Sequence, residues 1–144
     1  MRAATRARIE IQTTRGSLEF QMKEQAPLLA VQITRLARQG FYNGLTFHRV
    51  VPGFVAQGGD PRGDGFGGPG YLVRDEVSML EHDRGTVALA SGGKDTGGSQ
   101  FFINLAPNHH LDGKYSVIAE VTRGMDIADK LEPGDKILSA RVLP

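Results

Sequence analysis

Alternating apolar and polar positions at the start of the chain predict a β-hairpin. Residues 9–13 and 18–22 each place an apolar side chain at every second position, the period of a strand with one buried face. Between them, Thr14-Arg15-Gly16-Ser17 is rich in turn-forming residues. We therefore expect the two segments to pair as antiparallel strands.

A helical period replaces this alternation between Ala26 and Gln39. Apolar side chains recur three or four positions apart, at Leu29, Ile33, Leu36 and Ala37, and arginines lie on the other side of the predicted helix. Pro27 stands where the first turn of a helix tolerates proline, and Gly40 is a typical helix end. The pattern predicts one amphipathic helix over residues 26–39.

Short β-like segments make up most of the remaining chain. Six further strands are predicted, at 46–51, 54–57, 86–90, 100–105, 116–121 and 136–143, with a second short helix at 124–131. Glycine supplies 19 of the 144 residues, nearly twice its average share of about 7%, and much of it lies between these segments. Many short strands with two helices favour an all-β barrel whose ends the helices close.

Length and composition indicate a single globular domain without a strong charge bias. We expect that domain to span residues 9–144, while residues 1–8 are either a short basic lead-in or the trimmed edge of a longer chain. The net charge is +1, so no strong field draws the chain to nucleic acid or membrane. Cysteine is absent, which excludes disulfides and thiolate chemistry.

The N-terminus is basic but has no apolar stretch behind it, unlike a secretory signal. No apolar run approaches the roughly 18 residues of a membrane helix. We expect a cytoplasmic location, with a periplasmic protein or a longer precursor as the open alternatives.

Three local patterns suggest other chemistry but lack its context. Gly65-Phe66-Gly67-Gly68-Pro69-Gly70 matches a dinucleotide pattern, yet Pro69 and the apolar residues after it predict a loop and a strand instead of a helix. Gly97-Gly98-Ser99-Gln100-Phe101 lacks the final glycine of a hydrolase elbow. His109 and His110 are adjacent, and no cysteine or carboxylate is seen to cluster with them. We expect neither cofactor nor metal.

One arginine and several amides recur on faces that also carry apolar side chains. Strand alternation places Gln100, Phe102 and Asn104 on one face, and Phe101 and Ile103 on the other. It likewise groups Val55 with Gln57, and Phe47 with Arg49 and Val51. Because a buried, unpaired guanidinium is costly, Arg49 either pairs with a distant carboxylate or lies half-exposed in a groove.

Four ordered motifs resemble the cyclophilin-type peptidyl-prolyl cis-trans isomerases, in particular their compact bacterial members. The first runs from Phe47-His48-Arg49 through Phe54 to Gln57-Gly58-Gly59-Asp60. The others are Gly40-Phe41-Tyr42-Asn43-Gly44, Gly98-Ser99-Gln100-Phe101-Phe102-Ile103 and Leu111-Asp112-Gly113-Lys114. The similarity extends from Ile9 to Val142.

The resemblance implies a mainly β fold, a closed eight-stranded antiparallel barrel capped by two α-helices. It also implies catalysis of rotation about X-Pro bonds in peptides and folding proteins, without a cofactor or covalent intermediate. Arg49 corresponds to the catalytic arginine. The other implied site residues fall into three groups: a proline pocket of Phe54, Val55, Phe102 and Leu111; backbone-binding Gln57 and Gln100; and an edge of Ala90, Ser91 and Gly92, with Gly65 bordering the neighbouring pocket.

His110 and Tyr115 are also implied as substrate-binding residues, and the chain departs from common family residues at four positions of the implied site. Val55 stands where methionine is common, Ser91 replaces a frequent asparagine, and Tyr115 replaces a rim histidine. His110 stands where animal members often carry a tryptophan that supports cyclosporin binding, so weak cyclosporin binding with retained catalysis is implied. The competing interpretation is a non-catalytic proline-peptide binding or chaperone-like module of a larger protein. Either form is expected to be a monomer.

Overall fold

The computed structural model describes residues 6–63, 67–68, 80–90 and 98–144. Its eight strands are β1 Arg8–Thr13, β2 Gly16–Met22, β3 Arg49–Val51, β4 Val55–Gly58, β5 Thr86–Leu89, β6 Phe101–Asn104, β7 Val117–Arg123 and β8 Ile137–Val142. Two α-helices are described, α1 Pro27–Arg38 and α2 Met125–Ala128, together with a 3-10 turn at His109–Leu111. Within these residues, no helix has both the length and the apolar character needed to cross a membrane.

All eight strands belong to one sheet in the order β3-β4-β6-β5-β7-β2-β1-β8, and every ladder is antiparallel. The two edges of the sheet meet where the segment before β3 bonds to the first residue of β8. Gly44 N–H donates to Ile137 O and Ile137 N–H to Leu45 O, both at 2.7 Å. The predicted mainly β class and the two helices are confirmed. The predicted full closure is overstated, because irregular segments replace a ladder at this seam.

The local predictions for the hairpin and both helices are confirmed. In β1 and β2, Ile9 lies opposite Phe20 and Ile11 opposite Leu18, with all four buried. Strand β1 begins at Arg8, within the segment expected to be a lead-in. Helix α1 buries its predicted apolar face against the sheet, while α2 is shorter than the predicted 124–131.

Strand β6 separates the apolar interior into two clusters. Phe101 points into the larger core, where its ring meets those of Phe20, Tyr42 and Phe47 edge-on at 5.7, 5.7 and 6.0 Å. Phe102 points the other way, into a smaller cluster with Val55, Ala88 and Val117. This alternation confirms the prediction for β6.

The shared face predicted for Phe47, Arg49 and Val51 is wrong for Phe47. Its side chain is fully buried in the larger core, whereas Arg49 is exposed. Strand β3 begins only at Arg49, so strand alternation does not extend back to residue 47.

Replacing Gly59 with alanine is expected to destabilise the fold by about 2 kcal/mol or more, in the range of strained backbone positions. Gly59 has φ +89°, and a Cβ there would lie 2.7 Å from Ser99 O and 2.9 Å from Tyr42 Cε1. Gly134→Ala is the matched control, because Gly134 has φ +92° but no described atom beyond its chain neighbours within 4 Å of the new Cβ. In urea denaturation, Gly134→Ala should lower the free energy of unfolding by only about 1 kcal/mol. Equal losses in the two variants would show that the contacts with Ser99 and Tyr42 add nothing to the cost at Gly59.

Candidate active site

Strand register brings the predicted site residues into one row across the sheet. Arg49 of β3 lies opposite Gln57 of β4, Gln57 lies opposite Phe102 of β6, and Phe102 lies opposite Ala88 of β5. Directly opposed residues on one face of a sheet have Cβ atoms about 5 Å apart. A charge, an amide and an aromatic ring are therefore adjacent, although they come from distant parts of the sequence.

A pocket of about 120 Å³ opens at this row. Among the described residues, eight line its walls, all of them predicted from the sequence: Arg49, Phe54, Val55, Gln57, Ala90, Phe102, Leu111 and Tyr115. Val55 and Phe102 are almost completely buried. Apolar walls with a charge and an amide at the rim suit a small apolar ring attached to polar backbone.

Arg49 lies in a groove and is not paired with a described carboxylate, which is the second of the two alternatives predicted from its sequence context. Its side chain is exposed, and its guanidinium carbon lies 5.8 Å from the centroid of the Phe54 ring, within cation–π range. Among the residues that the structure describes, no carboxylate lies within ion-pair distance of it. The guanidinium therefore borders the groove with no acidic partner in the described part of the chain.

The two site glutamines are bonded to each other. Gln57 Nε2 donates to Gln100 Oε1 at 3.0 Å, and Gln100 Nε2 donates to Gly67 O at 3.0 Å. The segment before Gln100 is anchored through Ser99, whose hydroxyl donates to Gly59 O and whose carbonyl accepts from the Tyr42 hydroxyl. Gln100 thus extends the pocket rim, although it does not line the pocket itself.

The remaining predicted site residues divide into two groups. His110 stacks on the Phe54 ring, with centroids 5.7 Å apart and planes 22° apart, and Tyr115 meets Phe102 edge-on at 5.5 Å. Tyr115 lines the pocket, and His110 lies beside it on the Phe54 wall. Gly65, Ser91 and Gly92 lie outside the described residues.

A buried amide that the sequence did not single out holds the Phe54 wall in place. Asn108 Nδ2 donates to Phe54 O at 3.0 Å and to Asn104 Oδ1 at 2.9 Å. Leu105 N–H donates to the same Phe54 carbonyl at 2.8 Å. No local sequence pattern indicates this role of Asn108, because Phe54 lies 54 positions away in the chain.

Comparison with known proteins identifies the family. Residues 8–143 match the family model described as cyclophilin type peptidyl-prolyl cis-trans isomerase/CLD. The chain belongs to the cyclophilin family. The predicted activity is thereby confirmed, and the chain is a peptidyl-prolyl cis-trans isomerase of the cyclophilin type.

Curated relatives and solved structures agree with this assignment. The chain is 47% identical over 130 residues to peptidyl-prolyl cis-trans isomerase B of Bacillus subtilis, covering 88% of this chain and 91% of that protein. It is 44% identical to a Helicobacter pylori peptidyl-prolyl cis-trans isomerase, covering 90% and 82%. A crystal structure of a Cryptosporidium parvum cyclophilin superposes with a TM-score of 0.90 at 30% identity, covering 96% and 98%.

His82, which the sequence did not point to, lies fully buried beside the pocket of this cyclophilin. Asp112 Oδ1 accepts from its backbone N–H at 2.7 Å and contacts its Nδ1 at 3.0 Å. Burial lowers the pKa of His82 below its usual value, and the contact with Asp112 opposes this only in part. The backbone N–H of His82 in turn lowers the pKa of Asp112. His82 is therefore neutral and Asp112 ionised at pH 7.

The expectation that no carboxylate clusters with the adjacent histidines is wrong for His109. Potential ligand atoms of Glu81, His109 and Asp112 lie within 4.8 Å of one another, because the fold brings residues 81–83 next to the 3-10 turn. His109 Nδ1 lies 3.0 Å from Asp112 Oδ2, and its Nε2 lies 3.4 Å from Asp83 Oδ1. The contact with Asp112 raises the pKa of His109. Ion pairing with Asp83 and Asp112 accounts for the position of the His109 ring.

Proposed function

We propose that the pocket binds the proline ring of an X-Pro segment and that Arg49 promotes rotation about the preceding peptide bond. The observation that carries this assignment is the row of Arg49, Gln57 and Phe102 across adjacent strands. It puts a guanidinium without a described acidic partner beside an apolar pocket of about 120 Å³. A proline ring held there has its nitrogen near the pocket rim, on the side of the charge.

The reaction requires a twisted amide to be favoured over a planar one. The planar X-Pro bond has partial double-bond character and a rotational barrier of about 18–20 kcal/mol. In the twisted state, resonance is lost and the proline nitrogen becomes pyramidal with a free lone pair. A donor directed at this nitrogen binds the twisted state more strongly than the planar one, and this difference is what accelerates the reaction.

Arg49 supplies such a donor without transferring a proton. A hydrogen bond to a charged group contributes roughly 1.5–3 kcal/mol, equivalent to about one to two powers of ten in rate. The rest of the acceleration must come from positioning and from the exclusion of water, which stabilises the planar, polar amide.

The other site residues hold the substrate while one side of the bond turns. Phe54, Val55, Phe102 and Leu111 contact the ring, and Gln57 and Gln100 bind the flanking backbone. Ala90 lies at the edge along which we propose that the peptide runs. The resemblance also implies Ser91, Gly92 and Gly65 at the site, and these three lie outside the described residues. A related Cryptosporidium parvum cyclophilin, 29% identical with a TM-score of 0.89, was crystallised in the presence of the dipeptide Ala-Pro, which supports an X-Pro substrate here.

The rim residue His110 also leads us to propose weak cyclosporin binding. Its imidazole stacks on Phe54 and presents a smaller apolar surface than the indole common at this position in animal members.

We further propose that the protein is a cytoplasmic monomer with one domain over residues 9–144. It needs no cofactor or metal, and it binds neither nucleic acid nor membrane. Cell fractionation and gel filtration test the location and the monomeric state.

A protease-coupled assay on a short X-Pro peptide tests the function directly. We expect the protein to accelerate cis-to-trans conversion well above the uncatalysed exchange, which takes tens to hundreds of seconds. The non-catalytic alternative instead predicts peptide binding by NMR titration with no change in the exchange rate. That second result would overturn the catalytic assignment.

A further inference from the structure

A buried imidazole supports one wall of the pocket from within the protein. The ring of His82 stacks on the ring of Phe102, with centroids 6.0 Å apart and planes 15° apart. His82 is fully buried and is not among the pocket-lining residues, so it contacts Phe102 away from the open space. The orientation of the Phe102 ring therefore depends on where the His82 ring is held.

A single carboxylate oxygen fixes that imidazole. Asp112 Oδ1 lies 2.7 Å from the backbone nitrogen of His82 and 3.0 Å from its Nδ1. Because an ionised carboxylate only accepts hydrogen bonds, Nδ1 must carry the ring proton. The other nitrogen, Nε2, is buried and has no partner among the described residues. Asp112 is thus the side-chain contact that sets the tautomer and orientation of the ring.

The same residues also fix the Leu111 wall. Asp112 follows Leu111 directly in the chain, and Asn108 N–H donates to His82 O at 2.7 Å. The segment 108–112 is therefore bonded to His82 at both of its ends. Movement of the segment that carries Leu111 relative to His82 would require at least one of these bonds to break.

We propose that His82 and Asp112 are positioning residues, a buried pair that sets the spacing between Phe102 and Leu111 and so the fit of the proline ring. This role rests on the proposed function of the pocket. Neither residue contacts the reacting bond. Loss of the pair should weaken the binding of the substrate and of the transition state equally. KM should therefore rise while kcat stays nearly unchanged.

Asp112→Ala tests the pair by steady-state kinetics on an X-Pro peptide. We expect KM to rise about tenfold, equivalent to about 1.4 kcal/mol, with kcat within about twofold of wild type. Asp112→Asn keeps an acceptor oxygen for both His82 donors and should restore most of the lost affinity. A purely structural role would instead reduce the folded fraction, which lowers kcat without changing KM and gives no rescue by asparagine.

His109→Ala is the matched control. Asp112 Oδ2 also contacts His109 Nδ1 at 3.0 Å, and this variant removes that contact while the bonds to His82 remain. Its KM should stay at the wild-type value. A KM shift in His109→Ala equal to that in Asp112→Ala would overturn the proposed role of His82.

NMR provides a readout that does not depend on activity. The Leu111 methyl and Phe102 ring signals should shift in Asp112→Ala and stay in place in His109→Ala. If those signals are unchanged in a folded Asp112→Ala protein, the positioning role is wrong even where isomerisation is observed. If wild type does not catalyse isomerisation, the proposed function fails, while these signals still decide whether the pair sets the pocket.

Discussion

Arg49→Ala is expected to lower kcat/KM for an X-Pro peptide by about one to two powers of ten. The estimate follows from losing one hydrogen bond to a charged group, roughly 1.5–3 kcal/mol, that forms only as the amide twists. The loss should therefore appear in kcat more than in KM. Protease-coupled kinetics measures both parameters.

Stability should hardly change in this variant, since exposed substitutions usually lie within about 0.5 kcal/mol of wild type. Arg49 is exposed and forms no ion pair with a described residue. Arg38→Ala is the matched control, because Arg38 is exposed on helix α1 and lies outside the pocket. Wild-type kinetics in Arg49→Ala would show that the guanidinium does not act on the proline nitrogen. An equal loss in Arg38→Ala would point to a general effect of surface charge.

The largest loss of stability is expected for Phe101→Ala, at about 3–5 kcal/mol. Phe101 is 2% exposed, and its ring packs edge-on against three other aromatic rings of the larger core. Truncation would leave a closed cavity among side chains from β2, the segment after α1 and the segment before β3. Because total stability is typically 5–15 kcal/mol, urea denaturation should show a large fall in the midpoint.

Phe102→Ala is the control for this effect, since it makes the same chemical change at the next position of strand β6. Phe102 faces the pocket, so the space left by its ring would join the open pocket and admit water. We expect a smaller loss of stability and a much larger rise in KM than for Phe101→Ala. If the two variants lost equal stability and Phe102→Ala kept its KM, the division of β6 into a core face and a site face would be wrong.

The order and type of the elements followed from the sequence because both depend on neighbouring residues. Alternation over 9–13 and 18–22 predicted the hairpin, and a three-to-four-residue period over 26–39 predicted helix α1. The two faces of β6 followed from the same rule. The motifs around Arg49 and Gln100 identified the family, and with it the eight described residues that line the pocket.

Only the tertiary structure decided how these elements meet, because strand register and buried contacts join positions far apart in the chain. Register placed Arg49 beside Gln57 and Gln57 beside Phe102. No local periodicity predicted that residues 44–47 and 134–137 join the two edges of the sheet, or that Phe47 is buried in the larger core. The pairing of His82 with Asp112 spans 30 positions, so the motif that contains Asp112 did not show which residue it bonds, and no local pattern pointed to His82.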